Sequence, residues 1–207
     1  MTRPVSDPIG LEVRWDRLAA ATDEAAATML RTAFSTIIRE SNDYTVVLMD
    51  RAGRTMAESR AGIPAFAALM SSLTELVLRR FPLDEWQDGD SVITNDPWIA
   101  TGHLPDIAMI SPVFHQGRLV AFTGTVAHSP DIGGTPSTSA TELISEGILI
   151  PRCGCSGPAR RARAGPRPGR CRPYPGRLRV DVPGGVRPLS RRRRGGRELA
   201  AVDAAAR

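Results

Sequence analysis

The chain contains no lysine; all 27 of its basic residues are arginine. It has three cysteines, and none lies in residues 1–151. That excludes a disulfide framework there and suits a reducing cytoplasm. No apolar run reaches the roughly 18 residues of a membrane-crossing helix, and Met1–Asp7 lacks the pattern of a secretory leader. A soluble, cytoplasmic protein with no membrane partner is the expectation. Histidine is equally scarce: there are three, His103, His115 and His128.

Charge is present but unevenly spread. Residues 152–207 hold sixteen Arg against three acids (Asp181, Glu198 and Asp203), whereas residues 1–151 hold eleven Arg against nineteen acids. The overall +5 therefore hides an acidic body and a strongly basic tail. The body carries none of the basic patterning that nucleic acid requires. In 152–207, Arg, Gly, Pro and Ala fill 40 of 56 positions, against 49 of 151 before it. These four amino acids have codons that begin with two G or C bases, and a chain without lysine points to a GC-rich gene. Such a gene read out of frame gives this mixture. Two segments are expected: a body, 1–151, and a disordered tail, 152–207, of out-of-frame sequence with too little apolar surface to offset its ordering entropy. The competing reading is a non-enzymatic protein whose basic tail binds nucleic acid, with affinity that falls steeply with salt. Cys153-Gly-Cys155 has no second pair of ligands and is not a zinc site.

Within the body, Asp7-Pro8 reads as a helix start. Apolar residues from Trp15 to Ile37 then recur at helical spacing, which predicts one long helix over 9–38. Tyr44–Asp50 and Arg54–Glu58 flank Arg51-Ala52-Gly53 as a hairpin. Phe66, Leu69, Met70, Leu73, Leu76 and Val77 mark a second helix that Pro82 ends. Ser91–Asn95 is a short strand. Ile107–Phe114 and Leu119–Val126 are two more, joined by His115-Gln116-Gly117. Helices with antiparallel hairpins rather than βαβ repeats define an α+β class.

Two of the three histidines fall in short motifs: His103 in Gly-His-Leu-Pro-Asp106, and His128 in Ala-His-Ser-Pro-Asp131-Ile-Gly133-Gly134. If the last two strands pair around the His115–Gly117 turn, their far ends meet, and His103, Asp106 and His128 converge. Two imidazoles and a carboxylate suit a divalent transition metal (Mn, Zn, Fe or Co) better than Ca or Mg, and leave coordination positions open. A non-haem Fe(II) oxygenase uses the same donor types. The plainer alternative is a set of ordinary loop polar groups. Asp131 stands as a further ligand or as an acceptor orienting an imidazole. Gly133 and Gly134 permit unusual backbone angles or close approach of a ligand. Asn95 and Asp96 shape the site wall or form an Asx turn before Pro97. His115 reads as solvent-exposed, and Glu142 and Glu146 as surface glutamates.

At these residues the chain resembles the hydantoinase B/5-oxoprolinase family, which includes N-methylhydantoinase B subunits and the related acetone carboxylase α subunit. The matching stretches are Asp7–Val13, Arg31–Ser35, Asn95–Pro97, Gly102–Asp106, Ala127-His128 with Asp131–Gly134, Thr141-Glu142, Glu146-Gly147 and Ile150-Pro151. The resemblance implies that His103, Asp106 and His128 bind a divalent metal. It also implies that a hydantoinase A-type subunit or domain uses ATP to activate a cyclic amide or ketone substrate. No glycine loop of the Walker type occurs in the chain, in keeping with ATP being held by that partner. The resemblance makes the chain the N-terminal piece of a B-type subunit of an ATP-dependent cyclic-amide hydrolase or related carboxylase, inactive on its own. Trp98–Thr101 replaces a more glycine-rich stretch before His103, and Ser129-Pro130 follows His128 where a bulkier residue is common.

Overall fold

The computed structural model describes residues 7–135, 142–151 and 153–155. The expected tail lies outside the described residues, apart from Cys153–Cys155.

Helix α1 (Pro8–Thr32) starts as the sequence predicts, with Pro8 in the first turn and the Asp7 carboxylate accepting the Gly10 N–H at 2.9 Å. It does not run to residue 38. Ala33 and Ser35 are extended, and Ser35 begins a separate helix, α2 (Thr36–Ser41), its hydroxyl accepting the Ile38 N–H. The same hydroxyl reaches the His128 carbonyl at 3.5 Å. The continuous apolar periodicity is interrupted by a cap and a tertiary contact that no local pattern encodes. Asn42 then takes the left-handed conformation (φ 52°) that closes α2.

Six strands form one antiparallel sheet: β1 (Tyr44–Met49), β2 (Thr55–Glu58), β3 (Ser91–Thr94), β4 (Asp106–His115), β5 (Arg118–His128) and β6 (Cys153–Cys155). Their order is β2-β1-β5-β4-β3-β6. Helix α3 (Pro64–Arg80) packs on one face and α1 on the other. Alternation along β1 divides its side chains between them. Val47 and Met49 join Met70, Leu73 and Val77 of α3, together with Trp86, Ile110 and Phe122. Leu48 joins Leu18 of α1, while Tyr44 and Val46 join Ala26 and Met29 of α1 and Ile38 of α2. Covered on both faces, β1 is buried at every position, and its sequence is accordingly a continuous run rather than an in–out alternation. The structure is the expected α+β arrangement.

The β4–β5 hairpin positions the site. Gln116 and Gly117 both have positive φ (49° and 78°), as a two-residue turn matching the strand twist requires. From there the pairing runs from His115 opposite Arg118 to Asp106 opposite His128, with one irregularity at Val113/Phe114. His115, expected in solvent, is half-buried as the last residue of β4. At the sheet edge β6 pairs with β3, four residues past the composition break at 151. No helix among the described residues is long and apolar enough to cross a membrane.

Candidate metal centre

Register places Asp106 and His128 side by side at the open end of the hairpin. The Asp106 side chain is 3% exposed and lies between two imidazoles: its Oδ1 is 2.9 Å from His128 Nδ1 and its Oδ2 is 2.9 Å from His103 Nε2. The two rings lie 5.4 Å apart, centroid to centroid. His103 arrives from the loop before β4, where Gly102 has φ +98° and room on its open side. Leu104 beside it is fully buried, an apolar anchor for an otherwise half-exposed histidine.

These residues each present one ligand atom, all within 4.8 Å of one another. Bonds of about 2.0–2.2 Å put two ligands of one ion at most roughly 4.4 Å apart, so small side-chain adjustments suffice for a shared ion. Two neutral nitrogens with a buried carboxylate are donors that a transition ion accepts readily.

Sequence reasoning missed Asp43. It directly precedes β1, and β1 pairs with β5 so that Tyr44 faces Ala127. The His128 N–H donates to the Asp43 carbonyl at 3.1 Å, and the Asp43 Oδ2 lies 3.6 Å from His128 Nδ1. A second carboxylate therefore borders the group. The only local signal was an acid between a helix-ending Asn42 and a strand; its meaning depends on which strand β1 pairs with.

Electrostatics bind the cluster together. Burial pushes the Asp106 carboxyl upward, but hydrogen bonds from His128 and His103 outweigh it and hold the group below the usual carboxylate value. The hydrogen bond to Asp106 raises His128 above the ordinary 6.5, against the opposing effect of burial and with added attraction from Asp106 and Asp43. Asp43 is raised, chiefly by burial, with His128 pulling the other way.

These directions fix a pH dependence for the metal-free protein. The raised His128 stabilises the fold fully below the unfolded value near 6.5, and that contribution is lost as pH rises through its higher folded value. The depressed Asp106 stabilises above about 3.8–3.9, and that contribution is lost as pH falls through its lower folded value. Urea unfolding of metal-free protein is expected to show stability declining as pH rises above about 6.5, with the decline removed in His128→Gln. A bound divalent ion reverses the slope, because protons compete with it for imidazole.

The remaining predicted residues lie elsewhere. The exposed Asp131 turns its carboxylate onto the Gly133 N–H at 2.8 Å, closing a local turn. Gly133 has φ +83°, and a Cβ on Gly134 would strike the Glu146 carbonyl oxygen. The close approach at this glycine pair is made by the chain itself. Asp96 forms the Asx turn, accepting the Trp98 N–H at 3.1 Å. Asn95 is fully buried and bonded only to backbone. Glu142 is exposed. Glu146 is not a free surface acid: its Oε2 accepts the Leu104 N–H at 3.1 Å.

The Hydantoinase B/oxoprolinase family profile matches residues 7–155. The chain is 30% identical over 151 residues to the putative B component of a D-/L-hydantoinase of Pseudomonas sp. (strain NS671), covering 69% of this chain and 25% of that protein. Among solved structures, the ATP-dependent caprolactamase from Pseudomonas jessenii superposes with a TM-score of 0.64 at 30% identity, over 74% of this chain and 27% of that one. The nucleotide-free acetone carboxylase structure gives 0.61 at 27% identity, over 70% and 20%. The chain belongs to the hydantoinase B/oxoprolinase family. It spans 12% to 25% of the length of curated relatives it matches.

Proposed function

We propose that this chain is the metal-holding N-terminal part of a B-type subunit of an ATP-dependent cyclic-amide hydrolase, with body and tail divided at residues 151/152. His103, Asp106 and His128, bordered by Asp43, would hold a divalent transition ion: Mn, Zn or Fe. The observation that carries this reading is the convergence of their ligand atoms within 4.8 Å. When bound, such an ion polarises a carbonyl or lowers the pKa of a water molecule. The chain's own contribution is positional: the buried Asp106 orients both imidazoles, and the β4–β5 register fixes their separation.

An A-type partner subunit or domain would use ATP to activate the substrate, a small cyclic amide such as hydantoin, 5-oxoproline or another lactam. The ATP-dependent caprolactamase structure and the relative that is the B component of a hydantoinase support that division of labour. The cysteine-free stretch 1–151 suits the cytoplasm. The fold likeness to acetone carboxylase supports a second reading, a carboxylase subunit acting on a ketone.

The test is a B-type polypeptide with a family-length C-terminal continuation joined after Pro151, purified and analysed for metal, then assayed with its A-type partner. Near-stoichiometric Mn, Zn or Fe and lactam-dependent ATP hydrolysis are expected. ATP turnover that requires ketone and bicarbonate instead would select the carboxylase. Failure to retain any of these ions after reconstitution would reject the metal-holding role.

A further inference from the structure

The loop that carries His103 is held from outside the metal cluster. The Leu104 N–H is accepted by Glu146 Oε2 at 3.1 Å, and the Leu104 carbonyl accepts from Asn95 Nδ2 at 2.8 Å. The next carbonyl, on Pro105, accepts the Ser129 N–H at 2.8 Å. Both polar groups of the residue between His103 and Asp106 are thus fixed by side chains rather than by sheet pairing.

Those side chains belong to one connected unit. The second proton of the Asn95 amide goes to the Ile148 carbonyl at 2.9 Å, and its oxygen accepts the Ile150 N–H. Every hydrogen-bonding direction of this fully buried amide is used, which fixes which end is nitrogen. The segment carrying Glu146 is pinned in turn to the Asp131–Gly134 turn. The Thr135 N–H meets the Ser145 carbonyl at 2.9 Å, the Ile148 N–H meets the Ile132 carbonyl at 3.0 Å, and Gly133 bridges to Gly147. Gly134 lies against the Glu146 carbonyl with no room for a side chain. The Asp-Ile-Gly-Gly motif therefore supports Glu146, and Glu146 supports the histidine loop.

We propose that Glu146 and Asn95 are positioning residues that clamp the Leu104 peptide, so that segment 142–151 sets the placement of His103 and Asp106. The proposal rests on the metal-holding role given above to those two residues. Neither Glu146 nor Asn95 belongs to the ligand group. Glu146 is half-exposed, so its replacement leaves the apolar core intact. Gln keeps an oxygen able to accept the same N–H.

The experiment uses the full 207-residue chain with Glu146→Ala and Glu146→Gln. Two quantities are read: Co(II) affinity with its visible absorption bands, and NMR-detected hydrogen exchange of the Leu104 amide in metal-free protein. Glu146→Ala is expected to weaken Co(II) binding by about 10–100-fold and shift the bands, and to speed Leu104 exchange by more than about tenfold. Gln should restore affinity to within about threefold of the parent chain. In Asn95→Asp, a carboxylate faces two carbonyls it cannot donate to, and Co(II) binding should fall likewise. Parent-like affinity, bands and exchange in Glu146→Ala would overturn the proposal. If the parent chain takes up no Co(II), the metal-holding role fails by itself, and Leu104 exchange decides: faster exchange in Glu146→Ala upholds the clamp, and unchanged exchange removes it.

Discussion

Replacing His103 and His128 together with alanine is expected to abolish divalent-metal retention. Loss of a group that merely supports a ligand commonly costs about 10–100-fold in affinity; this double variant removes two ligands outright. It leaves Asp106, 2% exposed, without both imidazoles that depress its pKa, and Asp43 without the histidine that partly offsets its burial. The two remaining carboxylates form a poorer and mutually repelling donor pair. Elemental analysis of parent and variant, each loaded with Mn or Zn and gel-filtered, should show metal near stoichiometry in the first and background in the second. Equal metal in both would remove these histidines from the site.

Phe122→Ala is expected to have the largest effect on folding. Phe122 is fully buried at the middle of β5, with its neighbours β1 and β4 on either side. Its ring meets Trp86 edge-on at 5.1 Å within the cluster that joins α3 to the sheet. Truncating a buried Phe to Ala costs about 3–5 kcal/mol. For a chain of this size that lowers Tm by roughly 6–20 °C. Because β5 also carries His128, metal affinity should weaken together with the melt. A Tm within about 2 °C of the parent would show that this cluster does not carry the fold.

What the sequence revealed, and what it withheld, follows from the range of the interactions. The His115-Gln116-Gly117 turn is a local signal, and once it is placed, strand pairing brings Asp106 opposite His128 without further assumption. The cap at Asp7 and the end of α3 before Pro82 are local in the same way. The break at Ala33–Ser35 was hidden because apolar spacing continues through it, while its cause includes a contact 93 residues away, at His128. Asp43 was hidden because the β1–β5 pairing that brings it to His128 has no sequence signature. Glu146 read as a surface acid because its partner is a backbone N–H 42 positions earlier. Asp131 and the two glycines were recognised as special, but their role is to turn and seat the chain beside the site.

The most direct measurement of the central claim is anomalous diffraction at a metal absorption edge, from crystals of the chain grown with Mn or Zn. A single strong peak within about 2.0–2.3 Å of ligand atoms of His103, Asp106 and His128 is expected. A stoichiometrically loaded crystal with its peak elsewhere, or with no peak at this cluster, would contradict the account.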